Sequence, residues 1–196
     1  MRINNIKPKS SFLSMEKDMS IILSRMMSNE RLKRLLYYTT PDALERENIT
    51  EEQSYNLINK NIVFVPKNKV SPEVKNFILI SFDNFVPNLT NPQFRNNIVE
   101  FDILCHYDQW KLKDFQLRPY KIAAELDSIL ADTHLTGIGR FEFVAASEIT
   151  NNDEYAGLCL TYLAIHGEED KKVIPNPANE ERFLEDFDKM IQNLSQ

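Results

Sequence analysis

Residues 101–110, FDILCHYDQW, bring together side chains that could do chemistry. Cys105 and His106 are adjacent, Asp102 lies shortly before them, and Glu100 immediately precedes the segment. A cysteine beside a histidine is typical of nucleophilic catalysis, and carboxylates beside a histidine are typical of metal-assisted or acid–base chemistry. Whether these groups can act together depends on the element that carries them.

The same segment predicts a β-strand over residues 96–107, because apolar and polar residues alternate along it. Successive side chains of a strand point to opposite faces, so Cys105 and His106 diverge. Asp102 and His106 share a face but lie about 13 Å apart along the strand, too far to hold one metal ion. This pattern favours a structural thiol, although His134 or His166 could approach Cys105 from another part of the fold.

The sequence contains none of the motifs that best predict phosphate, acyl or zinc chemistry, and it has only four glycines. One alternative is a small metal-dependent nuclease or hydrolase that uses Glu100, Asp102 and His106 near Lys111 or Lys113. No strand-borne E-x-K motif accompanies those acids. We therefore expect no catalytic, metal-binding or cofactor-binding residues, and no enzymatic activity.

The bulk composition predicts a packed intracellular protein. The chain has 196 residues, 42% of them hydrophobic and 27% charged, with a net charge of −6. That charge argues against a protein that wraps nucleic acid. Two cysteines without C-x-x-C spacing favour a reducing compartment, and we find neither a secretory signal nor an apolar stretch of membrane-spanning length.

Helical patterns dominate residues 1–60, which we interpret as an N-terminal arm. Apolar spacing predicts a helix over residues 14–27, and Ser28 and Asn29 offer a restart that continues to Tyr37, giving one long or two short helices. Thr50 and Gln53 predict a capping box that opens a third helix.

Residues 61–167 predict an α+β core, with a mainly antiparallel sheet packed against an amphipathic helix. Strands are expected at 61–66, 76–83, 96–107, 140–149 and 155–166, with a loop at 84–94 and a hairpin turn at 151–153. The helix is expected to begin near Pro119 and to continue to Leu130. The strand at 155–166 is apolar on both faces, which predicts cover above and below it.

Residues 168–196 predict a charged linker followed by an amphipathic helix with an apolar stripe of Phe183, Phe187, Met190, Ile191 and Leu194. The terminal helices could close over their own sheet or extend to a neighbouring subunit. The sequence leaves both arrangements open.

Five segments together resemble the tail terminator and tail completion proteins of tailed bacteriophages. They are FILISFD, RNNIVEFDILCHYD, RPYKIAAELDSIL, TGIGRFEF and YAGLCLTYLAI, and they cover residues 76–167. The resemblance implies a non-enzymatic α+β subunit that forms a ring, often a hexamer, at the head–tail neck of the virion. Residues 1–60 and the C-terminal helix have no counterpart in this pattern, so a head–tail adaptor of another neck ring is the alternative.

These observations lead us to expect a homo-oligomeric ring assembled in the host cytoplasm. Its partners would be the tail tube and the head–tail connector, and DNA would pass through an acidic lumen without specific binding. No membrane partner is expected. The candidate subunit contacts are Trp110, Phe115, Arg118, Phe183, Phe187 and Ile191.

Overall fold

A computed structural model describes residues 15–64, 76–87, 89, 95–131, 133–135, 139–150 and 153–166. The predicted α+β class is confirmed: the described chain has four α-helices and a five-stranded, mostly antiparallel sheet. The helices are α1 (Met15–Ser28), α2 (Glu30–Tyr37), α3 (Glu51–Leu57) and α4 (Arg118–Leu130). The strands are β1 (Ile62–Val63), β2 (Asn76–Pro87), β3 (Arg95–His106), β4 (His134–Leu135), β5 (Gly139–Arg140), β6 (Glu142–Thr150) and β7 (Tyr155–His166).

The main sheet has the strand order β1-β2-β3-β7-β6, and β4 and β5 form a separate two-stranded sheet. β1 pairs parallel to β2, and the other neighbours in the main sheet pair antiparallel. β6 and β7 pair antiparallel, as the predicted hairpin requires, and residues 151–152 of its turn lie outside the described residues. β3 and β7 pair along their whole length and form the centre of the sheet.

One face of this sheet and the helices enclose the main hydrophobic core. Along β3 the buried side chains alternate as predicted, with Val99, Phe101, Ile103 and Cys105 on that face. The α4 stripe packs against them through fully buried Ile122, Leu126 and Leu130.

The N-terminal helices belong to the same core as the sheet. Buried residues of α1 and α2 join one cluster with residues of β2, β3, β7 and α4. The sequence pattern changes at residue 60, but the residues before and after it pack into one hydrophobic core. Two helices form because Asn29 interrupts the first one, and its side chain caps α2 by accepting a hydrogen bond from the Leu32 N–H at 2.9 Å.

The predicted capping box is confirmed at α3. The Thr50 hydroxyl accepts from the Gln53 N–H, and the Gln53 side chain accepts from the Thr50 N–H. Both groups are donors that a helix leaves without intrahelical partners, so the box fixes where α3 begins.

The prediction of a loop beginning at residue 84 is wrong for residues 84–87. β2 continues through them to Pro87, with an irregularity in the pairing between Asp83 and Val86. Asn84 sits there with φ 57°, a left-handed conformation that asparagine tolerates. A bulge accommodates the breakers, and Pro87 comes at the strand end, where a missing N–H is tolerated. The first predicted strand is shorter than expected, because β1 covers only Ile62–Val63.

The predicted C-terminal linker and helix lie outside the described residues. The same holds for the contact candidates Phe183, Phe187 and Ile191. No helix in the described ranges has the length and apolar character needed to cross a bilayer.

Candidate assembly surface

The adjacent cysteine and histidine diverge, as the strand geometry predicts. Cys105 is fully buried in the main core, whereas His106 lies on the other face beside the ring of Tyr155, with 5.2 Å between ring centroids. Burial raises the pKa of the Cys105 thiol to about 12. Since the thiolate is the nucleophilic form, this side chain is unreactive near neutral pH.

The carboxylates of the alternative nuclease hypothesis lie on the same face as His106. Glu100 and Asp102 are both partly buried on β3. Burial, and then the negative charges of Asp102 and Asp83, raise the pKa of Glu100. Within the ranges that the structure describes, no group of three or more His, Cys, Asp or Glu side chains is arranged to hold a metal ion.

Residues 107–117 form a loop between β3 and α4, here called the 107–117 loop, and Arg118 anchors its base. The guanidinium donates four hydrogen bonds to backbone carbonyls: from Nε to Gln109 at 2.7 Å, from Nη1 to Leu35 at 2.7 Å and Tyr38 at 2.8 Å, and from Nη2 to Thr40 at 2.8 Å. Leu35 and Tyr38 lie at the C-terminal end of α2, where carbonyls lack intrahelical partners and a cation is favourable.

Arg118 therefore joins the loop to the N-terminal helices. Its side chain is fully buried, and burial lowers its pKa, although a guanidinium stays protonated under all ordinary conditions. Arg118 was a candidate for subunit contact, and the structure shows it fully buried, with its guanidinium bonded to carbonyls of its own chain. We assign it an internal positioning role.

Trp110 is the second anchor of the 107–117 loop. Its indole Nε1–H donates to the carbonyl of Cys105 at 3.0 Å, and its ring packs against Tyr107 and the edge of the main core. The Trp110 carbonyl accepts from the backbone N–H of Arg118 at 2.8 Å. The two ends of the loop are thus tied together.

The outer part of the loop is held as well. The backbone N–H of Lys113 donates to the carbonyl of Pro41 at 3.0 Å, and its ammonium forms an ion pair with Glu45. Leu112 N–H donates to the carbonyl of Gln116 at 2.8 Å, which closes the tip into a tight turn. These contacts fix the backbone of the tip against the segment that follows α2.

Phe115 lies at this tip with its side chain fully exposed. Asp114 and Phe115 both have left-handed backbone conformations, with φ 56° and φ 59°. For an L-residue other than glycine this conformation costs about 1–2 kcal/mol, and aspartate tolerates it better than phenylalanine does. The hydrogen bonds of Leu112 and Lys113 therefore hold the side chain of Phe115 exposed to solvent, although its backbone conformation is strained.

A second exposed apolar surface lies on β6, which forms one edge of the main sheet. All its residues except Ile149 are exposed, and Phe143 and Val144 are 51% and 56% exposed. No other described strand pairs with the outer edge of β6. An edge strand of this length is a template for pairing with another chain.

Of the two loop candidates named from the sequence, Phe115 is exposed and Trp110 packs within its own chain, and the β6 surface was not among the candidates. The sequence predicted a strand at 140–149, yet it could not show that almost all of that strand is exposed. A weak signal was present in residues 145–148, AASE, because small and polar residues are unusual on a buried strand.

No curated protein matches this chain. A family model named YomW matches residues 29–164, from the cap of α2 nearly to the end of β7, and so covers about two thirds of the chain. The matched span includes α2 and α3 together with the main sheet, in agreement with their common core. YomW is the name of a phage-associated gene product, which supports the expected phage origin. The chain belongs to the YomW family.

Proposed function

We propose that this protein is a structural subunit of a phage virion that assembles into a ring at the head–tail neck. The ring terminates the tail tube and joins it to the head. Membership of the YomW family supports a phage origin, and the resemblance to tail terminator proteins over residues 76–167 supports the finer assignment.

The observation that best supports this proposal is the exposed aromatic side chain of Phe115. Aromatic side chains, including phenylalanine, are enriched in protein interfaces relative to the rest of the surface. A left-handed phenylalanine has no evident benefit for the isolated subunit, because its fully exposed ring is not packed against any of the described residues that could offset the backbone cost. Such local strain is typical of functional positions, and here a partner pocket would receive the ring.

The two exposed surfaces are separate, as a closed ring requires. Phe143 lies opposite Tyr162 on β7, whereas the 107–117 loop leaves the sheet at His106, opposite Tyr155. These rows are about 23 Å apart along the strands. Two different patches on one subunit allow a head-to-tail contact, which closes into a ring when the rotation permits.

The acidic balance of the chain suits a channel for DNA. A net charge of −6 disfavours adhesion of the phosphate backbone, so DNA would pass without being retained. Assembly in the host cytoplasm and incorporation in the virion follow from this role.

Native mass spectrometry of wild type and two variants tests the proposal, alone and with purified tail tubes. The substitution Phe115→Ser should prevent the subunits from assembling into a ring. Tyr55→Ser removes another exposed aromatic ring, from α3, and should leave assembly unchanged. A wild-type chain that stays monomeric at high concentration and on tail tubes would refute the proposed function. A ring that forms equally well with Phe115→Ser would refute the assignment of its contact surface.

A further inference from the structure

The main sheet has a second face, opposite the helices, which carries its own apolar cluster. Phe77, Leu104 and Tyr155 form its centre, with Leu79 and Ile149 packed at its border. Every one of these residues belongs to a strand. The three central residues are nevertheless at most 3% exposed.

The strand register places this cluster in adjacent rows. Phe77 lies opposite Leu104, and both Leu104 and Ile149 lie opposite Gly157. In the next row Leu79, Asp102 and Cys159 lie side by side. The helices that the structure describes contribute their buried residues to the other cluster, so none of them covers this face.

We infer that residues 179–194, as an amphipathic helix, fold back over this second face of their own subunit. The apolar stripe of that segment would cover the Phe77–Leu104–Tyr155 cluster. This inference assigns Phe183, Phe187 and Ile191 to the subunit's own core, and it does not depend on the proposed function.

The chain length permits this return. β7 ends at His166, about 30 Å along the strand from Gly157. Residues 167–178 span up to about 40 Å when extended, so a linker can turn the chain back at the end of β7. The stripe from Phe183 to Leu194 is about 16 Å long on a helix, comparable with the roughly 20 Å between Leu163 and Gly157 on β7.

The pattern of β7 also indicates that this face needs a cover. Tyr155 and Cys159 lie on the second face, whereas Leu158, Leu160 and Tyr162 lie on the face that packs against the described helices. A strand such as β7 that is apolar on both faces needs cover on both.

The two cysteines provide a direct test, because they report on opposite faces. Cys159 lies on the second face, and Cys105 lies on the face covered by the described helices. In the full chain, Phe187→Asp should place a charge in the stripe and uncover Cys159, raising its rate of modification by a maleimide at least about tenfold. Cys105 should stay protected.

Gln192→Asp is the matched control, because it adds the same charge on the opposite side of the helix and should leave both thiols protected. An unchanged rate at Cys159 in Phe187→Asp would overturn the inference. Simultaneous exposure of Cys105 would show global unfolding, so a second measurement on the native fold is included.

That measurement uses Phe187→Cys and a mild oxidant, which forms a disulfide between two thiols that already face each other and does not require a bulky reagent to reach Cys159. A link between Cys159 and the introduced thiol within one chain is the expected product. Absence of a link would overturn the inference, and a link between two chains would overturn it in favour of an exchange of this helix between subunits.

Discussion

Replacing Phe115 should stabilise the isolated subunit while it abolishes assembly. The ring is fully exposed, so its removal costs no buried apolar area. Its left-handed backbone, with φ 59°, costs about 1–2 kcal/mol that glycine does not incur. Glycine also lowers the free energy of unfolding by roughly 0.5–1 kcal/mol, because it increases the conformational entropy of the unfolded chain. For Phe115→Gly the expected net gain is therefore about 0.5–1 kcal/mol.

Phe115→Asn separates the two contributions. Asparagine tolerates the left-handed region without the added freedom of glycine, so its gain should equal or exceed that of Phe115→Gly. Asp114→Gly is the matched control, since Asp114 has φ 56° but is a residue type that accepts this conformation. We expect a change in the free energy of unfolding close to zero for the control.

Urea unfolding of the monomeric form measures these changes, and thermal unfolding should show a rise of about 1–4 °C for Phe115→Gly. Native mass spectrometry of the same samples measures assembly. Destabilisation of Phe115→Gly by more than about 1 kcal/mol would refute the reasoning, because it would mean that the ring makes stabilising contacts within its own subunit.

Three further predictions concern the interior. Arg118→Lys should lower the free energy of unfolding by about 2–4 kcal/mol in urea, because an ammonium cannot reproduce four hydrogen bonds from a planar guanidinium; a loss below about 0.5 kcal/mol would contradict its anchoring role. Gly157→Ala should cost about 1–3 kcal/mol or more, since an added Cβ would lie 1.8 Å from the carbonyl oxygen of Ile103; a variant as stable as wild type would contradict that close approach. Stability should also fall above pH 9, where the unfolded Cys105 thiol ionises while burial keeps the folded one protonated up to a pKa of about 12. That loss is up to about 1.4 kcal/mol per pH unit; in pH-dependent urea unfolding, Cys105→Ala should show a shallower decline, and an identical slope would argue against it.

The sequence alone determined the elements whose signals are local. The alternation along β3, the apolar stripe of α4 and the Thr50–Gln53 capping box each involve residues close together in the chain, and all three are confirmed. The divergence of Cys105 from His106 follows from the same period of two. Local geometry was also enough to separate these reactive side chains.

Only the tertiary structure decided which of the candidate contact residues face the solvent. Arg118 and Phe115 stand close together in the sequence, yet one is fully buried and the other fully exposed. The difference arises because carbonyls of residues 35–40, distant in sequence, surround the guanidinium, whereas backbone contacts with Pro41 hold the tip outward. The exposure of β6 could not be predicted from the sequence either, because it depends on the position of that strand at the edge of the sheet. Contacts between distant segments carry no periodic signal, so burial at these positions had to come from the fold.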